Sequence, residues 1–306
     1  MIKGRVITRV REGVLVAFSE NDQPVLCRVP SKGKGKRLKM PVPGDWVLCD
    51  PPSDTSDGWV QSIEPRSSLY RRYVFGRIKE IVSNIDKVFI LGCPSNPVVS
   101  PRLIDRMLVA ASVGSLEAVI VVNKSDLFSK DEVEEYCQPW KIAGYKVLVI
   151  SALQRKGFES LETEFKGSES LLAGASGVGK STLLNNLFED FNLETAAVSK
   201  ATKRGVHTTT YTYLYPFPGG GIVADSPGIR EFHPVVEPED LHLHFPEFQD
   251  LSEECDWRNC LHLAEPECAV RDAVGTELLH ERRFDSYKKL YDSLREGPLR
   301  GRRQPG

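Results

Sequence analysis

The chain has 306 residues, 41% of them hydrophobic and 27% charged, and a net charge of −2. This length suits two or three domains with at least one substantial core, and the composition excludes a fibrous, collagenous or largely disordered chain. No apolar run approaches the roughly 18 residues that span a bilayer, and Met1-Ile2-Lys3-Gly4-Arg5 starts no signal peptide. A cytoplasmic protein without membrane attachment is expected, and its seven cysteines are expected to be thiols or metal ligands rather than disulfides.

The charge is unevenly spread. Residues 1–80 hold 15 Lys+Arg against 9 Asp+Glu, and residues 281–306 hold 8 against 4, so the middle of the chain is acidic. Basic ends on an acidic body point to a polyanion met by the ends; a solvated distribution without a partner is the plainer alternative.

In chain order, residues 1–75 read as a small β domain. Short alternating runs at Gly4 to Val10, Val14 to Phe18, Pro24 to Val29, Asp45 to Cys49 and Gly58 to Ile63 predict five strands. A barrel of the oligonucleotide-binding (OB-fold) type fits, and an SH3-like barrel fits nearly as well. Lys32-Gly33-Lys34-Gly35-Lys36-Arg37-Leu38-Lys39 puts five cations and two glycines between strands, an arm suited to phosphate backbones. Residues 64–80 read as a linker.

From residue 76 to about 232 the pattern becomes alternating strands and helices. Asp86 to Leu91, Glu117 to Val122, Lys146 to Ile150 and Ser170 to Ala173 are buried strands. Pro101 to Val113 is a helix with Ser100 at the N-cap, and Gly157 to Lys166 is another. The alternation implies a mostly parallel sheet with ligands at the carboxyl ends of its strands.

Three strand ends carry chemistry. Gly174-Ala175-Ser176-Gly177-Val178-Gly179-Lys180-Ser181 fits G-x-x-x-x-G-K-[ST] and runs into a helix at Thr182. Its glycines let successive backbone N–H groups face phosphate oxygens, Lys180 reaches the outer phosphates, and Ser181 meets Mg²⁺. Asn123-Lys124-Ser125-Asp126 fits N-K-x-D. The Asp126 carboxylate accepts from the N–H pair on the guanine edge, which adenine lacks, while Asn123 braces the site and Lys124 lies over the base. Ser151-Ala152-Leu153 offers a backbone N–H to the guanine oxygen. Asp225-Ser226-Pro227-Gly228 fits D-x-x-G, with Asp225 toward Mg²⁺ and the Gly228 N–H toward the γ-phosphate. Between these, Glu194 to Thr210 lacks apolar periodicity and is expected to be mobile, with one of Thr208, Thr209 and Thr210, taken as Thr209, completing Mg²⁺ coordination. Tyr211 to Phe217 and Gly221 to Ala224 read as a hairpin.

All five guanine-nucleotide boxes are present, but N-K-x-D and S-A-L precede the phosphate loop. That order resembles the circularly permuted GTPases, and it wires D-x-x-G directly to the C-terminal domain. Joining old termini and opening another loop leaves the sheet intact.

Residues 233–306 add Cys255, Cys260, His262 and Cys268, a Cys₃His set suited to a structural tetrahedral Zn²⁺ site. His242 and His244, in a helix-like acidic segment, read as surface residues. Cys27, Cys49, Cys93 and Cys137 read as small core residues. Val270 to Glu296 reads as a helix pair, followed by a basic tail expected to be disordered until bound.

An N-terminal OB-fold, a permuted P-loop GTPase core and a mostly α zinc domain together resemble the ribosome small-subunit-dependent GTPase A (RsgA, or YjeQ) family. The resemblance implies a GTP-hydrolysing factor in late small-subunit maturation. It would contact the small subunit and its rRNA as a monomer, use GTP, Mg²⁺ and one Zn²⁺, and have its slow hydrolysis stimulated by the subunit. Ile229 stands where many GTPases place the water-orienting glutamine, so intrinsic hydrolysis is expected to be weak. The resemblance points to His207 as the substitute, acting with Lys180 in catalysis. Two other functions fit the residues less well: an RNA-binding placeholder with incidental hydrolysis, and a P-loop ATPase or kinase, against which Asp126 argues.

Overall fold

The computed structural model describes residues 1–19, 23–30, 38–53, 56–95, 97–189, 212–218, 220–226 and 231–297. The basic arm from Lys32 to Arg37, the segment holding His207 and the threonines, Gly228, Ile229 and the tail beyond 297 lie outside them.

Five strands, β1 (Ile2–Val10), β2 (Gly13–Ala17), β3 (Val25–Arg28), β4 (Trp46–Asp50) and β5 (Gly58–Ile63), form the N-terminal barrel. Their order is β1-β2-β3-β5-β4, and β4 returns to β1 to close it. β3 and β5 run parallel, so the barrel is no simple meander. This is the Greek-key OB arrangement, and it settles the choice against an SH3-like barrel. Apolar residues alternate inward: Val6, Val14, Val16, Cys27, Val47, Cys49 and Val60 are fully buried. Cys93 and Cys137 lie buried in the central core, so all four non-cluster cysteines are core residues.

The stretch read as a linker is instead an antiparallel hairpin, β6 (Leu69–Val74) and β7 (Arg77–Ser83). Alternation was there to be seen, but four cations and a Phe-Gly turn hid it. Tyr70 and Val82 anchor the hairpin's base in the central core.

The central sheet contains β8 (Lys87–Gly92), β9 (Glu117–Val122), β10 (Lys146–Val149), β11 (Glu169–Gly174), β12 (Tyr213–Pro216) and β13 (Ile222–Asp225). The order is β10-β9-β8-β11-β13-β12, parallel except for β12, which forms a hairpin with β13. Strands buried on both faces read as near-continuous apolar runs, as Phe89-Ile90-Leu91 and Val119 to Val122 do. Helices α1 (Pro101–Val113), α2 (Lys130–Ile142), α3 (Phe158–Phe165) and α4 (Lys180–Glu189) connect them. Ser100 sits at the α1 N-cap with Pro101 following, but its hydroxyl makes no capping bond. By contrast Ser129 and Glu132 form a complete capping box that starts α2.

The C-terminal region packs around its own core of Phe245, Phe248, Leu279, Tyr287 and Leu290, with Val109 of α1 contributing from the central domain. Its elements are a 3-10 helix at Pro238–His244, α5 (Gln249–Glu253), α6 (Ala269–Asp272) and α7 (Glu281–Glu296). Two expectations change here. The expected helix pair is one short turn and one long helix, because Gly275 at φ +85 interrupts the run. His242 and His244 are half-buried rather than surface residues. Pro238 starts a tight 3-10 run, in which His244 Nδ1 lies 2.9 Å from Ser112 Oγ and His242 packs edge-on to His262.

Candidate functional site

The carboxyl ends of β9, β11 and β13 and the residues after β10 lie along one edge of the parallel sheet, and the nucleotide boxes sit there. The register that places them is set by apolar pairing, such as Leu171 opposite Val88 and Ala224.

The phosphate loop leaves β11 at Gly174 and enters α4 at Lys180. Gly177 and Gly179 have φ of +78° and +105°, a region that excludes most side chains. At Gly179 an added Cβ would come within 2.3 Å of Asn123 Nδ2, so the loop and the N-K-x-D box require a glycine between them. Asn123 bridges two boxes. Its amide donates to Val178 O at 2.9 Å, and its carbonyl accepts from the Ala152 N–H at 2.9 Å. That N–H, which the sequence offers to a guanine oxygen, therefore holds Asn123 in this structure. Lys124, in a left-handed conformation, donates to Gly177 O at 3.1 Å. The Ser151 hydroxyl donates to Asp126 Oδ1 and accepts from the Gln154 N–H.

Lys180 is buried and donates to Gly174 O at 2.8 Å and Ala175 O at 3.0 Å. Burial lowers its pKa, with Asp225 opposing. Burial pushes the Asp225 carboxyl up to about 6, with Lys180 opposing. Asp225 Oδ1 is buried without a hydrogen-bond partner. A buried, orphaned carboxylate oxygen beside the phosphate loop fits a site for a hydrated divalent cation. Ser181 and Thr182 are exposed at the start of α4. A cleft of about 520 Å³ beside the loop is lined by Ala175 and Ser176, by Arg102 and Arg106 of α1, and by Glu231 and Phe232.

One contributor was not legible beforehand. Asn186 of α4 donates to Ala152 O at 2.5 Å and ties the helix to the S-A-L turn. Its only sequence signal is an Asn pair between the apolar residues Leu183-Leu184 and Leu187-Phe188.

The second constellation lies in the C-terminal region. The ligand atoms of Cys255, Cys260, His262 and Cys268 all lie within 4.8 Å of one another. His262 Nδ1 is 3.6 Å from Cys255 Sγ and 3.4 Å from Cys268 Sγ. Nε2 is 3.2 Å from Ser252 Oγ, so with the ring proton on Nε2 the hydroxyl fixes the tautomer and leaves Nδ1 to the cluster. Glu265 accepts from the N–H groups of Leu261, Leu263 and Ala264 at 2.8–3.0 Å. Burial opposes its charge, but these backbone donors more than offset it and hold its pKa at about 2. The loop is thereby shaped although His262 and Glu267 both have positive φ. Three sulfurs and one imidazole nitrogen converging in a buried pocket fit a tetrahedral zinc site.

A permuted box order on one parallel sheet, with the guanine-type N-K-x-D box braced against the phosphate loop, defines a circularly permuted GTPase. Residues 63–234 match the RsgA GTPase family model. The small ribosomal subunit biogenesis GTPase RsgA of Gemmatimonas aurantiaca is 40% identical over 84% of this chain and 85% of its own. That of a Geobacillus species is 35% identical over 97% and 98%. Among solved structures, YjeQ from Thermotoga maritima superposes with a TM-score of 0.75 at 32% identity, covering 97% of this chain and 99% of its own. The circularly permuted GTPase YloQ gives a TM-score of 0.70 at 26% identity, over 100% and 97%. The chain belongs to the RsgA GTPase family, and it is a GTP-hydrolysing enzyme. Among the described residues no helix is long and apolar enough to cross a membrane.

Proposed function

We propose that this chain acts in late maturation of the small ribosomal subunit, in the cytoplasm and as a monomer, and that the subunit stimulates its GTP hydrolysis, which then drives release. The observation that carries this reading is that the likeness extends over the barrel and the Cys₃His region as well as the GTPase core. A relative named small ribosomal subunit biogenesis GTPase is covered over 98% of its length.

In this reading the OB-fold of residues 1–75 and the zinc domain of residues 233–306 contact rRNA, and residues 76–232 time the contact. Asp126 reads guanine, Asn123 and Lys124 hold the base pocket, and Ser151 and Ala152 position the two polar side chains of N-K-x-D. Backbone N–H groups of Gly174 to Thr182 hold the phosphates, with Lys180 countering the charge that develops on them. Ser181, Thr209 and Asp225 would hold Mg²⁺, which supplies charge neutralisation at the β- and γ-phosphates. The Gly228 N–H senses the γ-phosphate, and His207 orients water in place of the missing glutamine. Cys255, Cys260, His262 and Cys268 would hold Zn²⁺ for folding rather than catalysis.

The test is GTP turnover by the purified chain with and without small ribosomal subunits, at two salt concentrations. Stimulation that fades with salt is expected. Binding without stimulation would favour the placeholder, and so would retained assembly function in Lys180→Ala. Absence of binding would remove the ribosomal reading.

A further inference from the structure

Helix α1 turns one face to the C-terminal region and another to the phosphate loop. Asp105 and Val109 serve the first, through Arg283 and the C-terminal core. Arg102 and Arg106 serve the second. They stand four positions apart, which makes them neighbours on the helix surface. With Ser100 they line the cleft of about 520 Å³ that Ala175 and Ser176, the second and third residues of the phosphate loop, also line.

The charge in this cleft is poorly balanced. Like charges at this helical spacing repel. Arg102 is exposed and pairs with Asp285 of α7 at 3.2 Å. Arg106 is half-buried, and among the described residues no carboxylate pairs with it. Its guanidinium makes one long bond, to Phe232 O at 3.4 Å. Burial lowers its pKa and Arg102 lowers it further, with Glu231 opposing. Glu231 is the only carboxylate lining the cleft, and it is exposed. A guanidinium carries several N–H donors in a fixed fork, so most of those on Arg106 are left for another acceptor.

The start of α1 adds to this. Ser100 is the N-cap, but its hydroxyl makes no capping bond, and the first turn holds no acidic residue. The positive end of a 13-residue helix, an uncommitted hydroxyl and two guanidinium groups thus share one cleft with the phosphate loop. This is the chemistry of anion binding, and the arginine fork matches pairs of phosphate oxygens.

We propose that Arg106, with Arg102 and Ser100 beside it, forms a second phosphate subsite of this GTPase, next to Ser176, which takes the terminal phosphate group of GTP during or after cleavage. Hydrolysis joins the water oxygen to the γ-phosphorus and breaks the bond to the β–γ bridging oxygen. That oxygen leaves on GDP with the electron pair, and the water gives up a proton, so GDP and inorganic phosphate result. Arg106 meets the negative charge of the γ oxygens from the cleft, while Lys180 meets it from the loop. The inference rests on the reading that Gly174 to Thr182 holds the phosphates of GTP, and it is independent of any ribosomal partner.

The experiment uses the full chain with GTP and Mg²⁺, without ribosomes. Wild type, Arg106→Gln, Arg106→Lys and Arg102→Ala are compared in single-turnover cleavage of GTP, in inhibition by added inorganic phosphate, and in affinity for GDP. Thermal unfolding confirms that each variant is folded; Arg102 is exposed, so its variant keeps the test alive if those at Arg106 are not. Cleavage is expected to slow roughly ten-fold or more in Arg106→Gln and less in the other two, with GDP affinity unchanged. That result assigns the subsite to the phosphate still being transferred. Unchanged cleavage with inhibition by inorganic phosphate weakened about ten-fold assigns it to the product instead. Folded variants that match wild type in both measurements would overturn the subsite. So would a loss of GDP affinity that accounts for the loss of turnover, since Arg106 would then only support the loop. Wild type that binds no GTP would overturn the reading of the phosphate loop itself.

Discussion

Asp225 is the residue where burial and function conflict most openly. Its pKa of about 6 stands well above the ordinary carboxylate value of 3.8. The sign of the consequence follows from proton counts. Between about pH 4 and 6 the folded chain keeps a proton that the unfolded chain has lost, so stability falls as pH rises through that window. The accumulated cost at pH 7 is about 3 kcal/mol. Asp225→Asn is therefore expected to stabilise the metal-free protein by roughly 2 kcal/mol at pH 7 and by much less at pH 4, because Lys180 loses its partner in exchange. Urea unfolding in chelator at the two pH values reads this directly. Mg²⁺-dependent turnover should collapse in the same variant. A stability gain together with a loss of turnover would mark a side chain retained for its ligand.

Among the elements, the Cys₃His loop and the β6–β7 hairpin show how short segments are held in unfavourable conformations. The Cys255-to-Cys268 loop contains two non-glycine residues at positive φ, and the hairpin turn contains another, Phe75. Glu265 offsets that strain by collecting three neighbouring N–H groups. Glu265→Ala should leave those donors unsatisfied and lower zinc affinity about 10- to 100-fold, the usual cost of losing an outer-shell partner. Competition with a chromogenic chelator measures it, and unchanged affinity would mean that the four ligands alone shape the loop. The legible elements were those with strong periodicity or caps. β8, β9 and β11 were plain as apolar runs, and Pro101 marked α1. The Ser129–Glu132 capping box is an equally clear start signal for α2. The hairpin was missed because charged residues on a solvated strand look like a linker.

At the scale of the whole molecule, ion pairs join the three cores, among them two that are largely enclosed. Arg5 of the barrel makes a bidentate pair with Glu169 at the start of the phosphate-loop strand, at 2.5 Å, and Thr8 Oγ1 donates to Thr212 O at 2.8 Å. At the other end Arg283 of α7 is fully enclosed. It reaches Asp105 of α1 at 2.5 Å and Glu247 at 2.6 and 3.1 Å, and Trp140 of α2 donates to the same Asp105 at 2.7 Å. Burial works against the guanidinium, but Glu247 and Asp105 more than offset it and push its pKa above the ordinary value. Arg283→Met would leave two buried carboxylates unpaired, and a loss of about 3–5 kcal/mol in urea unfolding is expected. Adding Asp105→Asn and Glu247→Gln should recover most of it. If the single variant cost nothing, the C-terminal region would not be docked through this pair.

The sequence by itself determined the chemistry. Loop glycines, a lysine, N-K-x-D, D-x-x-G and a Cys₃His set are local patterns whose spacing is dictated by phosphate, guanine and zinc, so they survive being read one segment at a time. The permuted order was legible for the same reason. Only the tertiary structure decided what lies beside what. Asn123 spanning from Val178 to Ala152, Asn186 reaching the S-A-L turn, Arg283 seated between two carboxylates and Arg72 held to Glu231 join residues from about 30 to 180 positions apart. Such contacts come from strand order and helix packing, which depend on burying apolar surface across the whole chain and leave no trace at any one position.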